Sequence, residues 1–189
     1  MYELPVNRSK TCECGINKPL SDTDIQKILG SDTKIIKYSE LGHLYDIDQL
    51  LPNEKDYCII LYEDRPDRGH WTALLKYNGV YEHFDSYGVK PDSELKWVSP
   101  KMREKLGESE PYLTKLVRKE EERFIHNDVQ YQSKDSKINT CGSHVANRLY
   151  RFKNDDFSLS DYHRYMTWVK ERTNNSYDVI VAEFVNKWL

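Results

Sequence analysis

No apolar run in this sequence is longer than the six residues Tyr57–Tyr62. A helix that crosses a bilayer needs roughly 20, so the pattern predicts no transmembrane helix and no membrane partner. The amino terminus, MYELPVNRSK, lacks the apolar core of a secretory signal, and the chain is expected to be made and kept in the cytosol. Neither sign of charge dominates. Twenty-eight Lys and Arg stand against 31 Asp and Glu, a net charge of -3, which supplies no global field toward nucleic acid or an acidic membrane. Cysteine is scarce and unevenly spread. Cys12 and Cys14 stand too close together for an unstrained disulfide, and Cys58 and Cys141 are isolated, so free thiols are expected. Zinc held by Cys12, Cys14, Cys141 and His144 would have four ligands, but Cys-x-Cys spacing suits a zinc knuckle poorly, and no metal or cofactor is expected. The chain has no internal repeat and no low-complexity tract.

What is present is enough for one substantial core: 189 residues, 38% of them hydrophobic. A single domain over residues 1–189 is expected, with 1–20 as an extension. SDTDIQKILG, from Ser21 to Gly30, reads as a short amphipathic helix. The run around residues 57–63 reads as a strand covered on both faces. After the polar loop EDRPDRG, the segment HWTALLKYNGVYEHFDSYG reads as two strands joined at Asn78-Gly79, a strong hairpin signal. Helical patterning recurs in PKMREKL and PYLTKLVRKEEER, the mixed-charge run Lys115–Arg123 being a solvated face. FIHNDVQYQ reads as a strand. CGSHVANRLYRF puts Val145, Leu149 and Phe152 on one helical stripe, and two further helices are expected at about Leu159–Arg172 and Asp178–Leu189.

Cys141 would open its helix, where unpaired backbone N–H groups and the positive end of the macrodipole favour a thiolate. Gly142 follows, which lets another backbone or a substrate come close, and Asn139 and Thr140 precede it as capping residues. A thiolate nucleophile needs a base and a group that orients the base. His70 begins one strand of the hairpin and Asp85 ends the other, so the open ends would bring them side by side. His83, His126 and His144 read as structural. His144, three residues after Cys141, is the competing base, with no carboxylate obviously placed to orient it. An amide just upstream of the nucleophile would serve as oxyanion donor, and Gln130 and Gln132 both lie there, on one face if the strand is regular.

Gly-His-Trp at 69–71, Phe-Asp-Ser-Tyr-Gly at 84–88 and Thr-Cys-Gly at 140–142, in that order, resemble the adenovirus-protease (adenain-like) family of cysteine peptidases. The superfamily includes the SUMO-deconjugating proteases, and the resemblance is nearest to capsid-maturation proteases of virophages and Maverick-type elements, over about residues 20–188. It implies an α+β fold whose central mixed sheet is flanked by helices, with the nucleophile at the start of a buried helix. It assigns Cys141 as nucleophile, His70 as base, Asp85 as orienting acid and a glutamine as oxyanion donor, with Gln132 favoured over Gln130. In the family that glutamine stands closer to the cysteine than the nine residues found here, so SKDSKINT reads as an insertion. The implied activity is cleavage of viral capsid or other virion precursors near small or Gly-rich sites, in infected-cell cytoplasm and virion. A monomer is implied, with nucleic acid not an obligatory activator. Removal of a ubiquitin-like modifier, or an idle binding module on the same fold, are the alternatives. A basic patch from Lys134, Lys137, Arg148, Arg151 and Lys153 remains open at this point.

Overall fold

The computed structural model describes residues 15–189, so the readings of Cys12 and Cys14 lie outside the described residues. The chain forms two compact units, one of Thr33–Asp128 and one of Val129–Leu189 together with the residues up to Asp32.

Thr33–Asp128 is organised by a five-stranded sheet in the order β1 (Ile35–Lys37), β2 (Tyr57–Arg65), β3 (Arg68–Tyr77), β4 (Val80–Phe84) and β5 (Phe124–His126). The outer pairs β1–β2 and β4–β5 are parallel and the inner pairs antiparallel, so the sheet is mixed and the fold class α+β, as the sequence implies. The apolar run becomes β2, with Ile59 and Ile60, on opposite faces, both fully buried. One face joins a core of Tyr38, Leu41, Ile47, Ile60, Leu74 and Leu113, among others. The β3–β4 hairpin turns at Asn78 (φ 50°) and Gly79 (φ 71°), the pair of positive values that a type I′ turn requires.

The polar loop expected between β2 and β3 is instead a tight reversal. The strands stay paired to Arg65↔Arg68, across a bulge at Glu63/Arg65. A Cβ on Gly69 would lie 1.8 Å from the Tyr62 carbonyl oxygen, so only glycine fits where the backbones approach most closely.

Past the hairpin come a 3-10 turn at Ser93–Trp97, α2 (Pro100–Leu106), α3 (Tyr112–Val117) and a second 3-10 segment at Arg118–Arg123. The last two replace the single helix expected over PYLTKLVRKEEER. Leu113, Leu116 and Val117 are buried but nothing in Arg118–Arg123 is, so the packing that sustains an α-helix ends at Val117.

The strand expected over residues 124–132 is also shorter, stopping at His126. Asn127 donates its backbone N–H to His83 and its side-chain amide to the Asp85 carbonyl, turning the chain off the end of β4. Gln130 and Gln132 therefore lie in irregular backbone, and the same-face argument does not apply to them.

The second unit is helical: α1 (Asp22–Leu29), α4 (Cys141–Asp155), α5 (Leu159–Thr173) and α6 (Tyr177–Val185). Ser21 and Asp24 close a capping box on α1. Val145 and Leu149 of α4 are fully buried and Phe152 nearly so. Helix α6 ends short of the expected Leu189, with Lys187 and Trp188 making i→i−3 bonds instead. No helix among the described residues is long and apolar enough to cross a membrane.

Candidate active site

His70 is the third residue of β3, and Asp85 follows the last residue of β4. The antiparallel register that sets Ala73 opposite Phe84 brings the two side chains together, as the hairpin predicts. His70 Nε2 and Asp85 Oδ2 are 2.6 Å apart, and the carboxylate partner fixes the proton on Nε2. The Asp85 side chain is wholly buried and that of His70 is 11% exposed. Oδ1 of Asp85 accepts the Tyr87 backbone N–H at 2.6 Å. Burial works against the Asp85 charge, but the His70 imidazole, with smaller help from Glu94 and His83, outweighs it and holds the carboxyl below the usual carboxylate range. The Tyr87 ring stacks on His70 at 5.0 Å, and the half-exposed Trp97 meets it edge-on at 5.5 Å.

In the helical unit, Cys141 is the first residue of α4, as expected, and is 8% exposed. Thr140 is the N-cap residue, but its side chain makes no capping bond. Its hydroxyl donates instead to Asp178 of α6, whose carboxylate also accepts the Ser133 backbone N–H and pairs with His144 Nε2 at 3.1 Å. This corrects the reading that no carboxylate orients His144. Burial opposes the Asp178 charge, yet His144 and Thr140 together bring its pKa down. Asp178 thus ties the residue before Cys141, the segment after Gln132 and the first turn of α4 to one buried group.

Gln132 is 2% exposed, with its amide Nε2 donating to the Ile138 carbonyl at 3.4 Å. Gln130 is exposed and donates its amide to the Gln132 carbonyl at 3.0 Å. The two are therefore unlike: one amide braces the backbone that carries the other. A cleft of about 400 Å³ opens beside them, lined in part by Ser133, Lys170, Asn174 and Asp178. The basic patch does not form as envisaged. Arg148 is fully buried and donates to the Phe157 carbonyl, Arg151 pairs with Asp155 and Tyr165, and Lys153 reaches the Leu29 carbonyl.

Sequence reasoning missed Glu94, Trp97 and Asp178, and quoted Tyr87 without giving it a role. Glu94, His70 and Asp85 form the one grouping among the described residues with the donors for a metal. A cation there would have to part the 2.6 Å hydrogen bond between His70 and Asp85. Cys58 is buried on β2 and desolvation pushes its thiol up to about 12, so it stays a thiol at neutral pH.

No protein-family model matches the chain. By sequence it is 31% identical over 144 residues to the uncharacterized protein V9 of Sputnik virophage, an alignment of 76% of this chain with 82% of that one. Among solved structures, the SUMO protease Ulp1 with its catalytic cysteine oxidized to a sulfinic acid aligns over 90% of this chain and 78% of its own, at 15% identity and a TM-score of 0.38. The same figures hold for the C-terminal Ulp1 protease domain in complex with Smt3, the yeast ortholog of SUMO.

Proposed function

The chain belongs to the family of the Sputnik virophage protein V9, and from that premise we propose that it is a cysteine endopeptidase that matures virion precursor proteins. The observation that carries the chemistry is the pairing of a partly exposed His70 with a buried Asp85 at 2.6 Å, in a chain whose α4 begins at a cysteine. The virophage relative supports the viral setting.

In the proposed reaction His70, holding Asp85 through Nε2, takes the Cys141 thiol proton on Nδ1. The thiolate sulfur attacks the scissile carbonyl carbon, and the oxyanion that forms accepts the Gln132 amide and backbone N–H groups at the start of α4. The His70 imidazolium gives its proton to the leaving amine, and the C–N bond breaks to leave a thioester. Water, deprotonated by His70, attacks the thioester and releases the carboxylic acid, with the proton returning to the thiol. No step uses a metal or cofactor. The substrate is a capsid or other virion precursor cut near small or Gly-rich sites, the enzyme acts as a monomer, and nucleic acid is not obligatory.

The purified protein, incubated with its capsid precursor and separately with a ubiquitin-like conjugate, is expected to cleave the precursor. Cys141→Ala abolishes that cleavage, and iodoacetamide, which alkylates thiolates, inactivates the wild type with modification at Cys141. Residual turnover by the folded alanine variant would assign the nucleophile elsewhere. Cleavage of the conjugate alone would replace maturation by deconjugation.

A further inference from the structure

Glu94 has no part in the reaction above, yet it belongs to the same cluster. It lies in the 3-10 turn after the Asp85 loop, is 2% exposed, and neither of its oxygens makes a hydrogen bond. An ionised carboxylate in that position would bear an uncompensated desolvation cost. The facing donor and acceptor atoms of Glu94, Asp85 and His70 all lie within 4.8 Å of one another. Two buried carboxyls this close do not both ionise, so one keeps its proton. Asp85 has direct hydrogen bonds from the imidazole and from a backbone N–H to support its charge, whereas on Glu94 the weaker pull of His70 and of a backbone N–H is outweighed by burial and by Asp85. Burial first, and then the nearness of Asp85, push the Glu94 carboxyl up to about 9. The other groups acting on this cluster are Tyr62 from β2, His83 from β4 and Asp92, and none of them places a cation on Glu94. The terminal torsion of a glutamate is soft, and a modest rotation turns an O–H of Glu94 toward an Asp85 oxygen, each of which can accept a second hydrogen bond.

We propose that Glu94 is a positioning residue whose carboxyl O–H donates to Asp85, holding that carboxylate, and through it the His70 ring, in one orientation. The role rests on the reading of His70 as the base. It predicts sensitivity to the donor and not merely to the volume of the side chain.

Two variants separate these. Glu94→Leu keeps the bulk and removes the donor, while Glu94→Gln keeps an N–H donor and removes the titrating proton. The leucine variant is expected to lower kcat about tenfold with KM little changed, and to shift the His70 Nε2–H proton resonance in the NMR spectrum. The glutamine variant is expected to recover most of that kcat and the resonance. The wild type is expected to lose activity as pH rises past about 9, where Glu94 gives up its proton, and the glutamine variant to lack that decline. Equal kcat in the two variants, with an unshifted Nε2–H resonance in both, overturns the proposal. Should the leucine variant not fold, the alkaline limb decides: an unchanged decline in the glutamine variant also overturns it. The resonance is read without turnover, so a wild type inert toward every precursor sinks the peptidase reading while the contact between Glu94 and Asp85 is still judged on its own.

Discussion

His70 and His144 each have a buried carboxylate partner, and exposure separates them. The His70 side chain is 11% exposed and that of His144 is 0%. A general base must reach the leaving amine of a substrate, which a wholly enclosed imidazole cannot do, so His144 with Asp178 reads as a brace for the start of α4. His70→Ala is expected to abolish turnover, and Asp85→Asn to cost less, since an amide still holds the ring without stabilising the imidazolium. His144→Ala should keep kcat within about tenfold of wild type and lose about 2–4 kcal/mol of stability in urea titration, because the buried Asp178 loses its imidazole partner and keeps only the Thr140 hydroxyl and the Ser133 N–H. A folded His144→Ala protein without activity beside an active His70→Ala would exchange the two roles. At this scale the sequence is legible where partners are local or joined by a hairpin, as for His70 and Asp85. Asp178 stands on another helix, 34 residues from His144, and no periodicity links them. Glu94 hides in a charged stretch, residues 91–123, where a solvated side chain is the default.

Among the elements, the hairpin, the Ser21-capped α1 and the start of α4 follow from strong local chemistry: paired positive φ values, a capping box and a stripe of apolar residues. What failed to follow was determined by pairing at a distance. Strand β5 ends where β4 ends, because a strand continues only while a neighbour accepts its hydrogen bonds, and FIHNDVQYQ carries no mark of that. The glycine of Gly-His-Trp shows the same limit, since its reason is the carbonyl of Tyr62 across the strand pair and not any turn of its own. Gly69→Ala must push β2 and β3 apart one residue before His70. We expect a loss of about 2–4 kcal/mol in urea denaturation and, in the surviving folded fraction, a fall in kcat much larger than any change in KM, because the alanine displaces His70. An alanine variant with wild-type stability would mean that the two strands are more loosely paired than the 1.8 Å approach implies.

For the whole molecule, the buried titrating groups make stability depend on pH in a direction that can be worked out. Glu94 and Glu108 are raised by burial, to about 9 and about 7. The folded chain therefore keeps protons that the unfolded chain releases above about 4.5, and their contribution is fully present below that value and is lost as pH rises through 7 and then 9. Desolvation lowers His83 to about 4, which acts oppositely: the unfolded chain takes up a proton that the fold refuses, so stability rises with pH from about 4 to 6.5. Asp85 and Asp178, both held low, contribute stability that is lost only on acidification below the ordinary carboxylate range. Above about pH 6.5 the His83 contribution is complete, and of these groups the two glutamates are the ones that still change. Each proton retained by the fold costs on the order of 1 kcal/mol per pH unit, so urea denaturation should show the protein losing stability between pH 6.5 and 8.5. Glu94→Gln should flatten most of that slope, and Glu108→Gln should flatten chiefly its lower half, near pH 7. A wild-type slope that persists unchanged in Glu94→Gln would mean that Glu94 is already ionised in the fold, and that the carboxylate beside His70 has a like-charged neighbour.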